Sequence, residues 1–236
     1  MSTQFLEGQV ALVTGASRGI GAATAEALAR AGAHILLTAR TAADLEEVEE
    51  RIHAAGGSAT IAPMDLTEKD GIARLAAAVA ERWGKLDILM LNAAMLGTLT
   101  PVSSIDGKEW NKVLTLNLIA QQALIASFDP LLRRSEAGRL IAVTSSVGQN
   151  PRAYWGAYGA SKAALETLVS AYGEEVKNLS PVKVAILDPG ATATQMRARA
   201  YPGEDPSTLK QPNEVSEAVA AMLRKGFETG YRLALG

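Results

Sequence analysis

Tyr158 and Lys162 stand four residues apart in a stretch that reads as the start of a helix. At that spacing both side chains project from one helical face and can point at one ligand. A phenol ordinarily titrates near pH ~10. An ammonium a few ångströms away favours phenolate and is expected to bring that value down. The pair would then give or take a proton near neutrality. A carbonyl carbon receiving hydride needs that proton on its oxygen, and an alcohol losing hydride needs it removed. Many surface helices contain Y-x-x-x-K, so this reading stands only in combination with other features.

A second feature lies near the other end of the chain. The apolar run Val10, Ala11, Leu12, Val13 and Thr14 leads into Gly15, Ala16, Ser17, Arg18, Gly19, Ile20 and Gly21, and a helical pattern follows. Glycines between a strand and a helix let the backbone turn tightly and approach a pyrophosphate, which the helix N-terminus stabilises. The spacing is G-x-x-x-G-x-G, and no Gly-Lys-Ser/Thr closes it, so it is not a Walker loop. A glycine turn with no ligand is the plainer alternative. Gly15 to Gly19 also fits the G-x-S-x-G nucleophile elbow, but that fold needs a histidine late in the chain. His34 and His53 are the only histidines, both in the first half, so a Ser17 hydrolase is set aside.

The nucleotide, if bound, is expected to be NADP(H). An acidic residue at the end of the second strand would hold the ribose hydroxyls of NAD. Here Ala39 and Arg40 occupy that place, and Arg18 adds a second positive charge in the glycine turn. Two guanidinium groups and no carboxylate suit a 2′-phosphate. The alternative is that both arginines are merely solvated.

These residues need a frame that brings them together. Short Val/Ile/Leu-rich runs at 10–14, 34–39, 58–62, 87–91, 139–144, 182–187 and 232–235 alternate with helical patterns at 19–31, 42–55, 69–83, 108–132, 156–177 and 213–225. Strands apolar along their whole length belong to a parallel sheet covered on both faces. The alternation predicts an α/β fold: a Rossmann-like, doubly wound parallel β-sheet of about seven strands flanked by helices. No linker, repeat or charge block divides the chain, so one domain over 1–236 is expected. The stretch 191–212, rich in Pro and Gly, is the least regular part and reads either as a substrate lid or as a surface loop.

Composition narrows the function classes. The 236 residues contain no cysteine, which excludes disulfides, thiolate metal sites and a cysteine nucleophile. No metal is expected. The 23 basic and 25 acidic residues leave a net charge of -2, with no basic excess for nucleic acid. No apolar run reaches membrane-spanning length and no signal sequence is apparent, so a cytoplasmic protein without membrane contact is expected.

The combination of features resembles the short-chain dehydrogenase/reductases over nearly the whole length. The matching residues are Thr14 with the glycine turn, Asp65 and Leu66 after the third strand, and Asn92 and Ala93 after the fourth. Asn117, Ser145, Tyr158 with Lys162, and Pro189, Gly190 and Thr194 follow. The resemblance implies that Tyr158 is the general acid/base, with Lys162 on the nicotinamide ribose and lowering the Tyr158 pKa. Ser145 would hydrogen-bond the substrate oxygen, and Asn117 would hold a relay water. Ser146 is the rival hydroxyl; the family's offset from the tyrosine selects Ser145. Gly15, Ser17, Arg18, Gly19, Ile20, Gly21, Arg40, Asp65, Leu66, Asn92, Ala93, Pro189, Gly190, Thr192 and Thr194 would contact the cofactor. Ala94 departs from the family pattern, where a glycine is usual, and puts a methyl near the cofactor.

A small carbonyl or alcohol is the implied substrate, and the family habit implies a homodimer or homotetramer. Met95, Leu96, Tyr154, Trp155, Met196 and Tyr201 suggest an apolar pocket, though such residues also serve plain packing. Two competitors use similar sheets. A cofactor-binding sensor or scaffold would not need the Tyr158 hydroxyl. A methyltransferase would have no use for Arg40 or the Tyr158 and Lys162 pair.

Overall fold

A computed structural model describes residues 4–236 of the chain. Strands β1 (Val10–Thr14), β2 (His34–Thr38), β3 (Ser58–Ile61), β4 (Ile88–Leu91), β5 (Arg139–Val143), β6 (Lys183–Asp188) and β7 (Tyr231–Ala234) form a single parallel sheet. Their spatial order is β3-β2-β1-β4-β5-β6-β7. β1 pairs with both β2 and β4, so the winding direction reverses between β1 and β4. A crevice opens at the carboxyl ends of those two strands, the place where parallel sheets of this kind bind ligands.

Side-chain alternation along the strands splits the core into two layers. Leu12, Leu36, Leu89 and Leu140 point to one face, where they pack with Ile72 and Val79 of α3 (Gly71–Trp83), Leu124 and Phe128 of α5 (Ala120–Arg133) and Leu165 and Val169 of α6 (Gly156–Val176). Ala11, Val13, Ile35, Ile88 and Ile141 point to the other. There they meet α1 (Gly19–Arg30), α2 (Ala42–Ala54) and α8 (Pro212–Lys225) through Leu28, Val48 and Val219. Each expected strand and helix is present, with ends shifted by a residue or two.

Two segments differ from the sequence reading. The helix expected over 108–132 is interrupted: α4 (Gly107–Leu114) passes into a π turn at Thr115–Ile119 before α5 begins. A π turn inserts one residue and re-aims the side chains beside it, and such turns recur at functional sites. The stretch 191–212 is also more ordered than its composition suggests. It holds a short helix, α7 (Gln195–Ala200), and a 3-10 turn at Pro206–Thr208.

Candidate active site

The glycine turn sits at the crevice, and its conformation requires glycine. Gly15 and Gly19 have φ of 65° and 56°, in the left-handed region. A Cβ on Gly15 would come 2.9 Å from the Ala93 backbone, and one on Gly21 would overlap the Gly15 carbonyl oxygen. The first turn of α1 carries no acidic residue and no side-chain cap, and Arg18 at its N-cap is exposed. The leading N–H groups of a twelve-residue helix therefore face the turn without a side-chain acceptor among the described residues, as an anion site requires.

The turn is fastened to β4. The Asn92 Nδ2 donates to the carbonyls of Thr14 and Gly15 at 2.8 and 3.2 Å. The backbone N–H groups of Asn92 and Ala93 each donate to the Thr14 hydroxyl at 3.0 Å, and that hydroxyl donates to the Met90 carbonyl. The Asn92 side chain thus works as a clamp between two loops.

Arg40 is exposed beside the turn and shares a cavity of about 610 Å³ with Asp65, Glu68 and Arg74. Thr67 donates to the Asp65 carboxylate through its backbone N–H and its hydroxyl, at 2.9 and 2.7 Å. Those bonds, with Arg40 nearby, hold the Asp65 carboxyl below the usual range. Leu66, the next residue, is buried.

On α6, Tyr158 and Lys162 are 7% and 2% exposed. The Lys162 Nζ donates to the Val143 carbonyl at 2.8 Å and lies 5.7 Å from the centroid of the Tyr158 ring. The expected drop in the Tyr158 pKa is absent. Burial pushes the phenol upward, and Asp188 adds to that effect. Burial also pulls the Lys162 ammonium down to about 8, against the opposing pull of Glu166. Desolvation disfavours both charged forms and is the larger influence on each. Tyr158 is therefore a neutral phenol in this state. Ser145 is half-buried just past β5, and its hydroxyl has no protein partner among the described residues. Ser146 opens the following 3-10 turn, Ser146–Gly148.

Asn117 lies in the π turn and is fully buried. Its Nδ2 donates to the Met95 carbonyl at 2.9 Å and to the Ser161 hydroxyl at 3.0 Å, and its Oδ1 accepts from the Met95 N–H at 2.8 Å. Both amide donors are consumed, leaving one lone pair on Oδ1. Gln121, one turn on, donates to the Ala93 carbonyl at 3.1 Å.

An apolar cluster surrounds the phenol: Leu96, Val147 and Tyr158, packed by Leu99, Trp155 and Met196. Trp155 meets the Tyr158 ring edge-on at 5.9 Å and the Tyr201 ring at 5.8 Å. Arg197 lies 3.9 Å over Tyr201 and pairs with both carboxylate oxygens of Glu204, which braces the segment containing α7. Tyr154 does not join this cluster; it is 58% exposed, with φ of 72°. The root of the segment is tied down. The Thr192 hydroxyl donates to the carbonyls of Pro189 and Gly190, and the Lys210 ammonium donates to those of Pro189 and Leu235. The Thr194 hydroxyl caps α7 by accepting from the Arg197 N–H, and its methyl faces Gly19.

The sequence reading missed Gln121, Ser161, Glu166, Lys210 and Arg232. Ser161, inside the Tyr158–Lys162 stretch, and Gln121 and Glu166, one turn beyond Asn117 and Lys162, carried a signal by their spacing. Lys210 and Arg232 act through partners distant in sequence.

Comparisons with known proteins place the chain among relatives of the same fold. Residues 9–205 match the family model described as short chain dehydrogenase. The uncharacterized oxidoreductase YciK of Escherichia coli strain K12 is 36% identical over 214 residues, which is 89% of this chain and 84% of that protein. Among solved structures, one assigned to the short chain dehydrogenases, from Pseudomonas syringae, superposes with a TM-score of 0.95 at 37% identity, covering 99% of this chain and 96% of the other. Another from Shigella flexneri, complexed with NADP, has a TM-score of 0.94 at 33% identity and covers 99% of both chains.

Proposed function

The chain belongs to the short chain dehydrogenases and is an oxidoreductase of that family, and from that premise we propose that it reduces a small, apolar carbonyl compound at the expense of NADPH. The observation that carries the proposal is the buried Tyr158 and Lys162 pair beside a glycine cradle with an uncapped helix N-terminus. The residues fit a dinucleotide. The leading N–H groups of α1, between Gly15 and Gly21, would hold the pyrophosphate, with Ser17 and Ile20 beside it. Arg40 and Arg18 would take the 2′-phosphate. Asp65 and Leu66 would hold the adenine, and Asn92 and Ala93 would lie along the ribose. Pro189, Gly190, Thr192 and Thr194 would border the nicotinamide. The NADP complex of the Shigella flexneri relative supports this choice of cofactor.

Bound there, the reduced nicotinamide supplies hydride to the carbonyl carbon. Tyr158 donates its phenolic proton to the carbonyl oxygen, and the alcohol leaves. A neutral phenol is the form this direction needs. Ser145 aligns the oxygen by donating a hydrogen bond. Lys162 stabilises the phenolate that remains, and a water near Asn117 returns the proton. With its amide donors committed to Met95 and Ser161, Asn117 serves that water through its remaining acceptor capacity or its backbone. The segment 191–212 acts as the substrate lid over Trp155 and Met196.

The same reading makes the whole chain one domain and places the enzyme in the cytoplasm. It also makes the enzyme a dimer or tetramer through α4, α5 and α6; Ile119, in the π turn between α4 and α5, is 58% exposed. Light scattering tests the assembly. The function is tested by following NADPH absorbance against aldehydes, ketones, diones and quinones. Turnover by the natural chain is expected, and Tyr158→Phe should lose at least ~10²-fold of it with NADPH binding intact. Binding of NADPH without turnover of any carbonyl would instead favour a sensor.

A further inference from the structure

Glu166 has no part in the reaction proposed above, yet it is one of the few buried carboxylates, with the residue 9% exposed. It lies one helical turn beyond Lys162 on α6. Its carboxylate accepts from the Thr144 hydroxyl at 2.5 Å and from the Gln149 amide at 2.9 Å. Arg232, on β7, donates to both oxygens at 3.3 and 2.6 Å. These donors hold the Glu166 carboxyl below the usual range despite its burial.

The placement of the donors gives them meaning. Thr144 directly precedes Ser145, and Gln149 follows the turn Ser146–Gly148. One carboxylate therefore ties both ends of the Ser145-bearing segment to the helix that carries Tyr158 and Lys162. A single ion pair for fold stability would need no such grip, since Arg232 alone supplies the counter-charge.

We infer that Glu166 is a positioning residue: through Thr144 and Gln149 it holds the Ser145 segment against Tyr158, and with Arg232 it sets the electrostatic field at Lys162. The catalytic part of this inference rests on the function proposed above. The field acting on Lys162 can be stated group by group. Tyr158 and Glu166 face it from α6, and the Val143 carbonyl faces it from β5. Asp188 of β6 acts on Tyr158, and Arg232 of β7 faces Glu166. The π turn contributes the neutral Asn117, bonded to Ser161, which donates to the Tyr158 carbonyl. Neutralising Glu166 removes an anion and strands the Arg232 cation, which disfavours the Lys162 ammonium. Neutralising Arg232 does the opposite.

The test uses the full chain and opposite-signed variants. Lys162 titration is followed by NMR of labelled lysine side chains, assigned with Lys162→Met. Glu166→Gln should move the Lys162 pKa below its value of about 8, and Arg232→Met should move it upward. With a carbonyl that the natural enzyme reduces, Glu166→Gln should lower kcat roughly tenfold, the loss expected for a charge-assisted hydrogen bond, with NADPH affinity unchanged. Lys162 titrations that coincide in all three chains would overturn the inference. So would an unchanged kcat in Glu166→Gln. Were the natural chain to reduce no carbonyl, the functional reading would fail, and the titrations alone would still decide the role of Glu166. Should Glu166→Gln not fold, Arg232→Met carries the test with Glu166 retained.

Discussion

The glycine cradle, proposed to hold the cofactor, and the apolar bowl around Tyr158, proposed to hold the substrate, lie at one end of the same sheet but are built from different materials. The cradle consists of backbone: glycines at positive φ, helix N–H groups with no side-chain cap among the described residues, and loops clamped by Thr14 and Asn92. The bowl consists of side chains: Leu96, Val147, Trp155 and Met196, brought together from three separate stretches of chain. A backbone site has few ways to vary, because nearly every change adds atoms where there is no room. A side-chain site can exchange one apolar group for another of similar volume at modest cost. Within one fold, the first kind of site preserves the shared reaction and the second decides which compound undergoes it.

This contrast predicts a descending series of effects. Gly21→Ala places a methyl on the Gly15 carbonyl oxygen, an overlap that only backbone movement can relieve. At an overpacking cost of about 1–3 kcal/mol, NADPH affinity should fall tenfold or more, with thermal stability reduced as well. Fluorescence titration and thermal melting check both, and native-like affinity in this variant would break the distinction between the two regions. Arg40→Ala removes charge without disturbing the backbone. It should weaken NADP binding by roughly tenfold, as for one lost charge-assisted contact, and leave NAD binding nearly unchanged. Equal losses for both nucleotides would assign Arg40 a structural task. Trp155→Ala should act on the bowl alone. It should raise KM for bulky apolar carbonyls by several-fold, as expected for a lost apolar contact, while the Kd for NADPH stays fixed. A matching change in the Kd would mean that the two regions are coupled.

The helix that carries Tyr158 and Lys162 shows how the pH behaviour follows from burial. With Tyr158 raised and Lys162 brought down to about 8, both groups are neutral once the pH exceeds that value. Activity that depends on a charged Lys162 is therefore expected to decline as pH rises through about 8.

Local chemistry made much of this legible in the sequence. Apolar runs placed β1, β2, β4, β5 and β6 because a strand buried on both faces admits little else, whereas the more exposed edge strands β3 and β7 followed from the strand–helix alternation. Gly15, Gly19 and Gly21 could be read because a turn at positive φ, and a contact with no space for Cβ, each demand glycine. Tyr158 and Lys162 could be read because a helix converts a spacing of four into a shared face. The packing decided the rest. The π turn around Asn117 escaped notice because its pattern of apolar residues is that of an ordinary helix, and its function depends on Met95 and Ser161, far along the chain. The sequence alone suggested that Lys162 would acidify Tyr158. The tertiary structure reversed that expectation by enclosing both, since desolvation depends on every atom around a group and not on its neighbours in sequence. For the same reason the union of Glu166 with Arg232, 66 residues apart, existed only once β7 had taken its place at the edge of the sheet.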